Sequence, residues 1–162
     1  MPFTPFHFGA GAAFHAASPR RVSFLAFCAC NVITDVEPLY YMLSHQYPVH
    51  RFLHTFVGAN VSWVVTLLLF LVAIRIAPLV SFPNWFGWKT LQPVPVGIGA
   101  ALGSYSHVVL DGLTHQDMRP LAPFSDSNPF LGRATDGEVY VFCLAAALVG
   151  IIIIGVRRRA QR

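Results

Sequence analysis

The stretch SHVVLDGLTHQDMRP, Ser106 to Pro120, sets two histidines and two carboxylates within eleven residues, at the end of an apolar run. Desolvating such groups without partners costs on the order of several kcal/mol each, so they are either exposed or hold something. Residues four apart share a helical face, so His107 and Asp111 aim at one spot, and His115 joins them if the helix runs on. Asp117 is a further candidate. HxxxD at this spacing is either a pair of metal ligands or a histidine and a carboxylate that hydrogen-bond one another. His50 and His54 in PVHRFLHTF repeat the spacing at the start of an apolar segment, where a helical backbone is expected. Asp35 and Glu37 in NVITDVEPL diverge by about 200° on a regular helix. Pro38 disfavours the helical region for Glu37, so both carboxylates can still converge at a helix end. The alternative makes Asp35 an N-cap and Glu37 a solvated acid of the first turn. His7, in TPFHFGAG, is an ordinary exposed or packed side chain unless the other groups gather round it.

Imidazoles and carboxylates from several helix ends bind zinc, with manganese as the alternative, and none is then left as an unpaired charge. Such an ion with an open coordination position acidifies water and polarises an ester or phosphoryl oxygen, which gives a hydrolase without a Ser or Cys nucleophile. No GxSxG, HExxH or Gly-rich phosphate loop occurs in the chain. On this reading His50, His54, His107 and Asp111 are direct ligands, His7 and Asp35 complete the set, and Glu37 is a ligand or the general base. Arg51 holds an anionic substrate group or anchors the interface. Asp136 and Glu138 cap or flank the last apolar run.

The elements that must position these groups are membrane helices. Of 162 residues, 55% are hydrophobic and 11% charged, and the mean hydropathy is +0.57. That is far from a soluble domain, and the length suits one domain over residues 1–162. A net charge of +4 suggests nucleic acid at first, but the basic residues form no stripe, and lipid explains them better. Cys28, Cys30 and Cys143 lie in apolar runs and read as small hydrophobic residues. The N-terminus lacks the basic region of a cleaved signal peptide and is expected to stay on the protein. Phe56 to Ile74 and Val139 to Val156 are spans by length; Val22 to Leu43 and Val94 to Leu110 are apolar but interrupted by polar groups; Pro5 to Ala17 is a short, half-inserted helix. Trp85 and Trp88 belong to an interfacial belt.

If five elements alternate, Arg20, Arg21, Arg75, Lys89, Arg157, Arg158, Arg159 and Arg162 fall on one side, against Arg51, Arg119 and Arg133 on the other. The positive-inside rule makes the first side cytoplasmic. All seven acidic residues, and every histidine except His15, fall on the outer side. Insertion signals do not explain that segregation, whereas a polar site at the outer interface does. The expected protein is therefore an all-helical, multi-pass membrane bundle, with membrane lipids as neighbours and a small-molecule or lipid substrate.

The segments MPFTPFHFG, DVEPLYYM, PVHRFLHTFVGA and HVVLDGLTHQDMRPLAPFSDSNP occur in this order and cover about a third of the chain. Together they resemble the YdjM-like family of bacterial inner-membrane proteins, described by similarity as metal-dependent hydrolases. The resemblance implies that His7, Asp35, His50, His54, His107 and Asp111 form one polar cluster. Its HxxxD element is also similar to the helical ligand pairs of zinc-dependent phospholipase C enzymes, a distant analogy. Two features depart from the pattern: HRFLHT stands where the family commonly has HRGxTHS, and Asp35-Val36-Glu37 replaces a DxD-like element. The expected activity is metal-dependent hydrolysis of a phosphate ester or lipid head group. The alternative is a non-catalytic membrane protein that binds metal or protons for transport or regulation, for which the midplane offers only Asn60, Ser62, Thr66 and His15.

Overall fold

The computed structural model describes residues 4–160, so Arg162 of the charge tally and the first three residues of MPFTPFHFG lie outside it. Five α-helices follow one another: α1 (Thr4–Ala17), α2 (Phe24–Leu43), α3 (Phe56–Ile76), α4 (Pro93–Gly112) and α5 (Asp136–Ala160). Short 3₁₀ turns at Phe52–His54, Ala77–Leu79 and Trp85–Thr90 complete the described secondary structure. The starts are set locally. Ser23 Oγ accepts the Ala26 amide at 3.2 Å and caps α2, Thr55 Oγ accepts the Gly58 amide at 2.9 Å and caps α3, and Pro93 opens α4 where no amide is needed. Thr135 and Glu138 form a reciprocal capping box at the start of α5: Glu138 Oε2 accepts the Thr135 amide at 2.8 Å and Thr135 Oγ1 accepts the Glu138 amide at 3.3 Å.

Three helical stretches, Phe56–Leu79, Pro93–Gly112 and Asp136–Ala160, are long and apolar enough to cross a membrane. Leu68, Leu69 and Val72 of α3, and Leu148, Ile151 and Ile152 of α5, are more than half exposed. Apolar side chains turned outward on helices of this length are arranged for a lipid solvent rather than water. The interior is built of small residues: Ala26, Cys30, Val96 and Ala100 pack between α2 and α4, with Trp63, Leu67 and Phe70 of α3 against them. Small residues let helix backbones approach where no hydrophobic gain separates protein from lipid.

The approach is closest between α2 and α4, which run parallel in one register. Gly99 faces Ser23, Gly103 faces Phe27 and His107 faces Asn31, four residues apart on both helices. A Cβ on Gly103 would lie 2.7 Å from the Phe27 carbonyl oxygen, and one on Gly99 would meet the Ser23 carbonyl. α1 and α5 are also parallel: Gly9 lies against Cys143, and Gly150 against Ala12. The Phe56 amide donates to Pro120 O at 2.9 Å and brings the start of α3 to the segment after α4. The start of α1, end of α2, start of α3, end of α4 and start of α5 therefore share one end of the bundle. At the opposite end the Arg157 guanidinium donates to Ala16 O at 2.6 Å.

One local expectation fails. Pro38 does not end α2, which continues to Leu43 with Pro38 buried inside it. Interior proline costs about 3 kcal/mol through a lost amide donor and a clash with the carbonyl four residues back, and the packing that buries Pro38 offsets it.

Candidate metal centre

Four side-chain atoms from three helix ends meet at the polar end of the bundle. His107 Nε2 and Asp111 Oδ2, both from the last turns of α4, are 3.1 Å apart. His107 Nε2 is 3.1 Å from Asp35 Oδ1 of α2 and 3.2 Å from His54 Nε2, which the 3₁₀ turn before α3 delivers. His54 Nε2 lies 3.5 Å from Asp35 Oδ1 and 3.6 Å from Asp111 Oδ2. These distances are five of the six edges of a tetrahedron. An ion with ligands at about 2.0–2.1 Å has tetrahedral edges of about 3.3–3.4 Å, so the four donors surround a volume of the right size for zinc-like coordination. His54 and His107 are completely buried and Asp111 nearly so. Burial disfavours a charged His54, yet the carboxylates of Asp111, Asp35 and Glu37 outweigh it and raise its pKa to about 10. A proton thus occupies the space that a divalent ion would take over.

A second layer fixes these ligands. His107 Nδ1 is 2.9 Å from Asn31 Oδ1, and the Asn31 amide is itself oriented by donating to Phe27 O at 2.8 Å. His7 Nδ1 lies 3.1 Å from His107 Nδ1, and His7 Nε2 lies 3.3 Å from Asp111 Oδ1. With its proton on Nδ1 toward Asn31, His107 keeps the Nε2 lone pair for an ion, while His7 Nε2 and Asp111 Oδ1 face one another without a hydrogen bond. Glu37 holds the backbone that presents His54. Its oxygens accept the amides of Arg51, Phe52 and Leu53 at 3.2, 3.0 and 2.8 Å, and Oε2 lies 3.8 Å from His54 Nδ1.

Beside the four donors stands a second group, His50, His115 and again Asp111, whose ligand atoms lie within 4.8 Å of one another. His50 Nδ1 is 2.9 Å from Asp117 Oδ1, while Asp117 Oδ2 accepts the amides of Val49 and His50. Burial lowers the His50 pKa, aided by the neighbouring His54 and His115 and opposed by Asp117, so the ring is neutral near pH 7. Next to His50 and Asp117 opens a cavity of about 420 Å³, lined also by Arg51, Phe52, Val57, Arg119 and Pro123.

Residues 1–157 match a domain of unknown function, DUF4184. The chain belongs to the DUF4184 family. No curated protein and no solved structure matches it.

Within this DUF4184 chain the expected ligands divide. Asp35, His54, His107 and Asp111 converge. His7 stands behind His107 and Asp111 rather than among the four, because α1 approaches from the side away from α3. His50 packs edge-on against His54 with ring centroids 4.8 Å apart, but residues 49–51 are not helical, and its ligand atom groups with those of Asp111 and His115 instead of with the four. His115 follows the end of α4 in a turn, its amide donating to Asp111 O at 2.9 Å, yet still comes within reach. Glu37 is not a free base: both its oxygens are engaged by three amides, which makes it a positioning residue. The Arg51 guanidinium lies 3.6 Å over the Tyr41 ring with Nε donating to Pro48 O at 2.8 Å, so its charge reaches the cavity wall and not the four donors. Asn31 and Arg119 were not among the expected residues. For Asn31 a signal existed, a polar residue in an apolar run four positions before Asp35.

Proposed function

We propose that this protein is a metal-dependent hydrolase of phosphate esters, with lipid head groups at the membrane surface as the favoured substrates. The observation that carries the reading is the convergence of Asp35, His54, His107 and Asp111 at tetrahedral edge lengths in a buried site. Three neighbouring polar atoms, His7 Nε2, His54 Nδ1 and Asp111 Oδ1, are buried without a hydrogen-bond partner, which fits a site built around a charged guest. A divalent ion held in this cluster with one coordination position left open would supply Lewis acidity and acidify water. The chain's own residues do the rest: Arg51 and Arg119 face the cavity with positive charge for a phosphate, and Phe52, Val57 and Pro123 offer walls for hydrocarbon. The likeness to the YdjM-like family supports the same reaction class, and zinc suits the mixed imidazole and carboxylate donors.

A second reading, a non-catalytic metal or proton protein, is favoured by one feature: four protein donors close an ion off, as in structural sites. Transport in particular finds little support, since Thr34 and Thr66 of the apolar helices donate to carbonyls of their own helices. The test is to load the detergent-purified full chain with zinc or manganese and screen phosphoester and lipid substrates. Hydrolysis lost on chelation and in His107→Ala supports the enzyme, with Arg51→Ala raising KM more than it lowers kcat. Absence of hydrolysis for every ester class in metal-loaded protein refutes it in favour of the second reading.

For sidedness, we infer that the polar end faces outward from the bacterial inner membrane and that the C-terminus is cytoplasmic. Support comes from Arg20, Arg21, Arg75, Lys89, Arg157, Arg158 and Arg159 at the far end, against Arg51, Arg119 and Arg133 near the site. Cysteine placed at exposed Ser127 should label in intact cells; protection there, with labelling of the C-terminal end, reverses the orientation.

A further inference from the structure

We propose that the centre holds two ions, the second bound by His50, His115 and Asp111 on the cavity side of the first. This rests on the metal-centre reading above. The donors are already arranged for it. The rings of His50 and His115 pack with centroids 4.3 Å apart, and each has its Nδ1 held by an oxygen: Asp117 Oδ1 at 2.9 Å for His50, the Asp111 carbonyl at 3.0 Å for His115. Holding Nδ1 in this way leaves the Nε2 lone pair for an ion and fixes the ring that carries it. Asn31 does the same for His107 in the first group, so the three histidines follow one rule.

Asp111 belongs to both groups. Its Oδ2 stands among the four donors of the first ion, whereas Oδ1, buried and without a hydrogen bond, has only His7 Nε2 near it at 3.3 Å. A carboxylate common to two positions is what a bridge between ions requires. Ions in paired sites lie about 3.5–4 Å apart, and the rings of His54 and His50, one from each group, have centroids 4.8 Å apart. Charge gives an independent reason. Asp35, Glu37, Asp111 and Asp117 place four carboxylates around these rings, and one divalent ion leaves half of that charge uncompensated in a poorly solvated place. Two divalent ions neutralise it. Arg119 does not, being paired with Asp126 at 2.8 Å in solvent.

The two positions differ in access. The first has four protein donors, enough to complete a tetrahedral shell. The second has three, and His50 and Asp117 lie on the wall of the cavity that Arg51 and Arg119 also line. Three protein ligands with an open position mark a catalytic ion. The second ion is therefore the one that would meet substrate, and the ligand it selects is a phosphate ester, for which Arg51 supplies positive charge on the wall of the same cavity.

The experiment counts ions in the full-length, detergent-purified protein, without reference to activity. After saturation with zinc and removal of free metal, two ions per chain are expected in the wild type and one in His115→Ala and in His115→Gln. Loading with manganese should give the electron paramagnetic resonance signal of an exchange-coupled pair, replaced by that of an isolated ion in either variant. One ion per chain in the wild type, with an isolated manganese signal, overturns the second position while leaving the first. No bound ion at all overturns both. Two ions retained by both His115 variants, with the coupled signal unchanged, assign the second position to other residues and overturn this one.

Discussion

Gly103→Ala should damage a site with which it has no contact. The new Cβ would stand 2.7 Å from the Phe27 carbonyl oxygen, 3.1 Å from Asn31 Nδ2 and 3.2 Å from Phe27 Cα. A methyl carbon sits about 3.3–3.6 Å from a carbonyl oxygen, so α4 must retreat from α2 by about 0.6–0.9 Å. His107 lies one turn further along α4, 2.9 Å from Asn31 Oδ1 and 3.1 Å from Asp35 Oδ1. Carried with the helix, those separations become about 3.5–4.0 Å, beyond a hydrogen bond and well outside the roughly 0.2 Å tolerance of a metal–ligand distance. The expected result is a fall in metal affinity of about 10–100-fold, the range seen when outer-layer support of a ligand is lost. Over-packing should add about 1–3 kcal/mol of destabilisation. Gly97→Ala is the control on the same helix, because its Cβ meets nothing within 4 Å. That variant should keep wild-type affinity and gain up to about 1 kcal/mol from the removal of a helical glycine. The measurements are competition titration against a chromophoric chelator and thermal unfolding in detergent. Equal metal affinity in the two variants would refute the claim that the glycine contact sets the α2–α4 distance and hence the site.

Asn31→Ala removes the acceptor that orients His107, and chelator competition should show affinity about 10–100-fold weaker with the fold retained by circular dichroism. Glu37→Ala leaves three amides of the 51–53 turn without their acceptor and should cost about 1–3 kcal/mol in chemical unfolding; Glu37→Gln should recover part of it, whereas a general base would not be rescued in turnover by Gln. In the metal-free protein His54 holds its proton up to about 10 against an ordinary 6.5. Its contribution to stability is then complete below pH 6.5 and lost as pH rises through 10, whereas metal affinity rises with pH over the same interval because the ion displaces that proton. Calorimetry of zinc binding at pH 7 in buffers of different ionisation enthalpy should register proton release, and binding with no proton exchanged would contradict this.

The sequence reveals most where local backbone is regular. Apolar runs locate all five helices to within about four residues, and the two of spanning length mark α3 and α5 most plainly, since a lipid-exposed helix leaves a long hydropathic trace. His107 and Asp111 meet as expected because α4 is uninterrupted between them, so spacing translates directly into direction. His50 and His54 have the same spacing without the helix, and spacing then says nothing about direction. The role of Glu37 depends on amides 14 to 16 residues away, in a turn whose shape no periodicity announces. One trace was present and unread: Ser23, Phe27, Asn31 and Asp35 recur every four residues on α2, as do Gly99, Gly103, His107 and Asp111 on α4. Two such ladders, one ending in Asn31 and Asp35 and one of small residues leading to the His/Asp pair, describe a parallel helix contact that ends in the site.

The parallel pairing of α2 with α4 bears on biosynthesis. Two neighbouring helices that point the same way cannot be joined by a tight turn; α3 must cross back between them before α4 can arrive. As the chain is made, Asp35 enters first, then His54, and the two α4 donors come last, with α5 still to seat against α1. A chain interrupted before α4 holds two of the four donors and cannot retain an ion. If the four donors hold an ion, its uptake comes after insertion and it would mark a completed bundle: tying together helices that lipid alone would not order, it would separate finished molecules from stalled ones, and withholding metal during synthesis should leave the newly inserted chain open to membrane proteases.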